Sequence, residues 1–210
     1  MSASNVSDAT PVSDDHSPGS GLYIALIPWV AFTLLAQHST LKLASVAALV
    51  LAIAIMIRSL MTTGLKVLEV GAVLAFVGFT VVSFGADHAA GVWMARYSRA
   101  IAAGVLALIA FASLLFTPFT EQYARESVPR EHWGSPTFKA INRRITLMWA
   151  LVFTAMIPFH IAAGAIDKRP TNIVFNWVIP IGLILWGVKR GGVIADEATG
   201  RASGATSQPA

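Results

Sequence analysis

The chain contains no cysteine. Disulfides, thiol nucleophiles and cysteine-based metal sites are therefore excluded. Charge is scarce as well. Only 12% of the 210 residues are Asp, Glu, Lys or Arg, against about 25% in an ordinary soluble domain. Residues 1–20 hold no Lys or Arg, so they lack the basic start that a secretory signal peptide needs before its apolar core. Residues 1–21 are acidic and rich in Ser, Pro and Gly, and read as a disordered tail; residues 191–210 read as a second one. There is no P-loop, zinc motif, Gly-x-Ser-x-Gly elbow or dinucleotide fingerprint. Neither a cofactor nor a catalytic centre is expected.

What is present is mostly apolar. Hydrophobic residues make up 55% of the chain, and the mean hydropathy is +0.66. Six apolar runs stand out, at 22–37, 41–57, 65–84, 101–119, 145–166 and 173–188. A membrane-spanning helix needs about 20 residues, with a range of roughly 17–25. The runs are apolar on all sides, unlike an amphipathic soluble helix. They also lack the alternation of an outer-membrane barrel strand. The expected fold is all-α, a polytopic transmembrane helix bundle of six spans. Five spans is the rival count, because only His38, Ser39 and Thr40 separate the first two runs.

Orientation follows from the basic residues between the spans. With six spans both tails share one side, and that side carries ten of the fifteen Lys and Arg. The other side holds Lys42, Arg96, Arg99, Lys168 and Arg169. Both tails are expected in the cytoplasm of a bacterial inner membrane. The same distribution argues against nucleic-acid binding, because the cations flank spans and form no continuous basic face.

One long polar stretch, residues 119–146, interrupts the apolar pattern. It carries Glu121, Glu126, Glu131, Arg125, Arg130, Lys139, Arg143 and Arg144. Thr117-Pro118 signals a short helix, with Thr as cap. Ser135-Pro136 signals a second, which can continue into the fifth span. Residues 120–144 are then a cytoplasmic, amphipathic connector. Its Lys139, Arg143 and Arg144 lie near anionic headgroups, worth about 1 kcal/mol per basic residue. Its Trp133 and Phe138 can dip into the interface. Such a segment either lies on the lipid or docks a partner protein, with Arg125, Trp133, Phe138, Lys139, Arg143 and Arg144 as its contact residues.

Inside the spans, three polar residues bear on function. Glu69 is the only acid within an apolar run. It reads as a proton or cation site, or as a headgroup-level pair with Lys66 three residues earlier. His160 follows Pro158 and reads as a relay or ligand group, or as a buried interhelical hydrogen bond. Asn176, like Gln37 and His38 at the end of the first span, reads as a cavity lining or a helix bridge. Ile-Pro pairs at Pro28, Pro158 and Pro180 free helix carbonyls and kink the spans.

The segment from Arg144 to Phe153 has the pattern Arg-x-x-x-x-Trp-Ala-x-x-Phe. It resembles the intracellular septation protein A family of small bacterial inner-membrane proteins. Where that family has Asn before the Arg, this chain has Arg143, with Asn142 one place earlier. The resemblance implies several spans and a link to envelope maintenance and septation; it carries over no catalytic residue. The leading expectation is a non-enzymatic scaffold or envelope-associated factor acting through 119–146, with the lipid bilayer and a membrane or envelope protein as partners. The alternative is a small transporter or channel built on Glu69, His160 and Asn176.

Overall fold

The computed structural model describes residues 20–206, with side chains described for 21–198. It is all-helical, with no strand among the described residues. In chain order the elements are α1 (Ser20–His38), α2 (Leu41–Thr62), α3 (Val67–Gly85), α4 (His88–Ser113), α5 (Phe119–Ala124), a 3-10 turn (Arg130–His132), α6 (Pro136–Ile166), α7 (Arg169–Ile173), a π-turn (Val174–Val178) and α8 (Ile179–Thr206). Six of the helical segments are long and apolar enough to cross a membrane, the last running from Arg169 to Ala198. The polytopic bundle of six spans expected from hydropathy is the fold observed.

Capping residues set most boundaries. Thr40 accepts a hydrogen bond from the Leu43 N–H and so separates α1 from α2. Asp87 caps α4 through the Ala90 N–H. Ser135 caps α6 through the Phe138 N–H, with Pro136 at the first helical position. At the other end of α6, Asp167 adopts the left-handed conformation (φ 48°) and returns its N–H to Ala163.

The six spans run alternately, so the bundle has two ends. The connector end carries the α2–α3 turn, α5, the 3-10 turn and the start of α6. The far end carries the α1–α2, α3–α4 and α6–α7 turns. Neighbouring spans pack α1 on α2, α2 on α3, α4 on α6 and α6 on α8. In a bilayer, lipid is as apolar as Leu, so association rests on close packing and interhelical hydrogen bonds. The chain supplies both. Ala44, Ala48 and Ala52 on α2 and Ala103, Ala107 and Ala110 on α4 are buried. A methyl at Gly164 would lie 2.8 Å from the Tyr97 ring, so only glycine lets α6 approach α4 there. Trp29, Phe32, Phe76 and Phe79 form an aromatic cluster with ring centroids 4.7–6.2 Å apart. The exposed apolar residues, among them Leu74, Val81, Leu108 and Leu185, face outward as a lipid-contacting surface.

Four expectations need correction. The fourth helix begins at His88, not at Ile101, because the Asp87 cap starts a helix that continues through Arg96 and Arg99. Hydropathy registers the polar residues there and misses the helix. The last helix continues to Thr206, so a disordered tail over 191–210 does not hold for 191–206. Ile194 is buried and Arg190 pairs with Glu197 at 3.6 Å, which carries the helix past the apolar run. Thr117 does not cap α5: that helix starts at Phe119, and the Thr117 carbonyl instead accepts from the Gln122 amide. Phe138 is buried, so it does not reach the interface. The expected tails at 1–19 and 207–210 lie outside the described residues.

Candidate functional site

The connector end is organised around Lys66. The α2–α3 turn closes on Gly64, whose φ of +91° suits glycine. Lys66 follows in extended conformation at the cap of α3, and its side chain is only 6% exposed. Its ammonium reaches Thr63 Oγ1 at 2.6 Å, Ser59 Oγ at 2.8 Å and Glu126 Oε1 at 2.8 Å. Three N–H groups thus meet three close acceptors. Glu69 Oε1 lies farther off, at 3.6 Å. The ion pair expected between Lys66 and Glu69 is therefore present, but Glu126 from the connector is the closer partner. The Tyr123 ring lies 5.1 Å from the ammonium. Burial, together with the Glu69 and Glu126 charges, pushes the Tyr123 hydroxyl well above its ordinary range.

The connector is folded onto this end. Phe119, Thr120, Glu121 and Tyr123 of α5 are buried. Thr120 donates to the Asn142 carbonyl at 2.9 Å and shares a 2.7 Å hydroxyl pair with Thr146. Ser113 accepts the Phe119 N–H, and Gln122 accepts the Val67 N–H. Beyond α5, Arg125 binds Glu121 at 2.6 Å, and Trp133 donates its indole N–H to Val128. The Arg125 and Arg130 guanidiniums pack on the Trp133 ring at 5.1 and 5.6 Å. Between the connector and the α2–α3 turn lies a cleft of about 460 Å³, bordered by Lys66, Gln122, Arg125, Glu126, Arg130 and Trp133.

The far end has its own polar network. Pro180 has no N–H to give the carbonyl four residues back. The chain widens there into the π-turn, and Ile179 bonds the Val174 carbonyl, five residues back. That turn presents Asn176 and Trp177. Asn176 donates to Asn172 at 3.0 Å and faces its oxygen to His160 Nδ1 at 2.8 Å. With the amide so placed, His160 donates through Nδ1. Beside it, Gln37 Oε1 accepts from Arg99 at 3.1 Å and from Trp177 at 3.0 Å. Arg99 also donates to the Thr33 carbonyl at 3.1 Å.

The expected site residues thus divide into groups. His160 and Asn176 meet directly; Glu69 lies at the opposite end, so the three share no cavity. Arg125 and Trp133 border the connector cleft with Lys66. Lys139, Arg143 and Arg144 are exposed on the first turns of α6. The Trp149 and Phe153 positions of the septation-like pattern stack at 5.7 Å and are buried, so they are packing positions. Sequence reasoning missed Glu126 and Tyr123 as partners of Lys66, and Arg99 and Trp177 as partners of Gln37. Trp177 adjoins Asn176 and was findable; nothing local marks Glu126. Among the described residues no group of three His, Asp and Glu gathers to hold a metal. No protein-family model, curated protein or solved structure matches the chain.

Proposed function

We propose that the protein is a non-enzymatic membrane scaffold that docks a membrane or envelope protein on the basic start of α6. The observation that carries this reading is the arrangement around α6. Its inward residues Phe138, Asn142 and Thr146 are buried, while Lys139, Arg143 and Arg144 are exposed. Lys139 and Arg143 are four residues apart and share a face. A surface already ordered before contact loses less entropy on binding. The Lys and Arg bias supports an inner-membrane placement with both tails cytoplasmic. The septation-like pattern supports a role in envelope maintenance.

The transporter reading draws on the His160–Asn176 bond, but Glu69 belongs to the other end and contributes nothing to it. A photo-crosslinker at Ala140, which is exposed between the cations, tests the scaffold in native membranes. A recurrent protein adduct is expected, and it should disappear in Lys139→Gln/Arg143→Gln/Arg144→Gln while the protein still inserts. Adducts to lipid alone, or capture that survives the triple change, would sink the reading.

A further inference from the structure

The connector cleft does not end at the connector. Leu65 and Lys66 border it on one side and border a second depression on the other. This second one is a groove of about 360 Å³ between Val70, Gly71 and Leu74 of α3 and Leu108, Ile109 and Ala112 of α4. Leu74 and Leu108, at its rim, are 68% and 67% exposed, as expected of side chains that face acyl chains. A polar cleft at the bundle end therefore runs into an apolar groove along the bundle side.

The cleft carries three cations, Lys66, Arg125 and Arg130, against one carboxylate, Glu126. Glu126 is taken by Lys66. Arg125 spends one nitrogen on Glu121, but its Nε is buried and has no hydrogen-bond partner. Arg130 pairs with no carboxylate among the described residues. Trp133 holds both guanidiniums against its ring. Guanidinium groups match the oxygens of a phosphate better than an ammonium does, and an indole is favoured at headgroup depth. Gly71 lets the Ile109 side chain lie against α3 and line the groove: any Cβ there would strike Ile109 and push it outward.

We infer that this is a binding site for one anionic phospholipid, with its phosphodiester at Arg125 and Arg130 beside Trp133 and an acyl chain in the α3–α4 groove. Charge selects the lipid class. A zwitterionic choline headgroup would bring its own cation into a cationic cleft, whereas a phosphatidylglycerol headgroup brings only the anion. The hydrocarbon groove selects a lipid over a soluble phosphate. The site uses none of Lys139, Arg143 and Arg144, so it stands or falls apart from the proposed docking surface.

The test uses the full chain in phosphatidylcholine vesicles, with tryptophan fluorescence quenched by brominated phosphatidylglycerol or brominated phosphatidylcholine. The difference between the protein and Trp133→Phe isolates the Trp133 signal. Phosphatidylglycerol is expected to bind more tightly, by about fivefold for each arginine. The preference should vanish in Arg125→Gln/Arg130→Gln, persist in Lys139→Gln/Arg143→Gln/Arg144→Gln, and weaken in Gly71→Leu. Should the double variant not fold, Arg130→Gln alone serves, because Arg130 makes no ion pair among the described residues. Equal quenching by both lipids would overturn the inference. So would an equal loss in the α6 triple variant, which would mark diffuse surface charge. Displacement by millimolar inorganic phosphate would make it a free-anion site and overturn the lipid assignment.

Discussion

Replacing Lys66 by Met tests what holds the connector in place. The change keeps the length of the stem and removes the cation from a pocket that holds Ser59, Thr63, Glu126 and Glu69. Breaking a buried pair by deleting one partner costs about 3–5 kcal/mol. Here Glu69 is 3% exposed but Glu126 is 27% exposed. Solvent screens the Glu126 share, so about 3 kcal/mol is the expected loss. Glu126→Gln is milder. Lys66 keeps both hydroxyl acceptors and Glu69, and about 1 kcal/mol is expected. At about 2–4 °C per kcal/mol for a chain of this size, Lys66→Met should lower the thermal midpoint in detergent by about 6–12 °C and Glu126→Gln by about 2–4 °C. Trypsin should also cut after Arg130 faster in Lys66→Met, because the connector has lost its tie to the α2–α3 turn. An unchanged midpoint and cleavage rate in Lys66→Met would refute the reasoning, as would a larger loss in Glu126→Gln.

Three further outcomes are expected. The folded-state pKa of Tyr123 is raised by burial and the two nearby carboxylates, so its stabilising contribution is full below about pH 10 and is lost as pH rises above it; Tyr123→Phe should leave the phenolate absorbance that the folded protein gains near pH 11 unchanged, and a drop would count against a buried phenol. Gly164→Ala sets a methyl 2.8 Å from the Tyr97 ring and 3.2 Å from Arg96 Cγ, which should cost about 1–3 kcal/mol, read as a lower midpoint; a neutral result would mean α4 and α6 separate freely. Because the chain has no cysteine, single cysteines at Ser39, His88 and Glu131 report topology directly: an impermeant thiol reagent should label the first two from one side of sealed cells and Glu131→Cys only after permeabilisation, and the opposite pattern would invert the orientation.

The spans were legible because lipid imposes a simple rule. Each backbone polar group must be bonded within its helix, so a spanning segment shows as an apolar run of fixed length. Ser135-Pro136 was legible because capping is local, and the Lys66–Glu69 pair because its partners are one turn apart. Thr117-Pro118 misled, since the serine four residues earlier, Ser113, accepts the Phe119 N–H that a threonine cap was expected to serve. Arg99 was hidden for a different reason. A cation before an apolar run reads as a loop residue, yet its guanidinium is tied by Thr33 and Gln37 of α1, a helix far away in sequence. Glu126 follows the same logic. Its partner Lys66 lies across two spans, and only the folded connector brings them together. The π-turn was half legible: Pro180 announces a freed carbonyl, but not that Asn176 and Trp177 would be turned toward His160 and Gln37.

The placement of these polar groups bears on whether the bundle conducts. A path between the ends would have to join the Lys66–Glu69 level to the His160–Arg99 level. The residues between them are buried Ala48, Ala52, Ala72, Phe76, Ala103, Ala107, Val152 and Met156. Ser98 bonds the Ala95 carbonyl and Ser113 the Ala110 carbonyl, while the Trp29 indole N–H, beside Phe76, and the Thr80 hydroxyl are buried without a hydrogen-bond partner. Moving an unpaired polar group through such a layer costs several kcal/mol, and a charge far more. Opening it would require α4 to leave α6, where Gly164 seats the Tyr97 ring and Asp167 binds Arg96 at 2.8 Å. Two separate polar ends over a largely apolar middle suit a protein that binds at its surfaces. A conducting role would need water to appear between Phe76 and Ala107, which solvent-exchange labelling of that layer would detect.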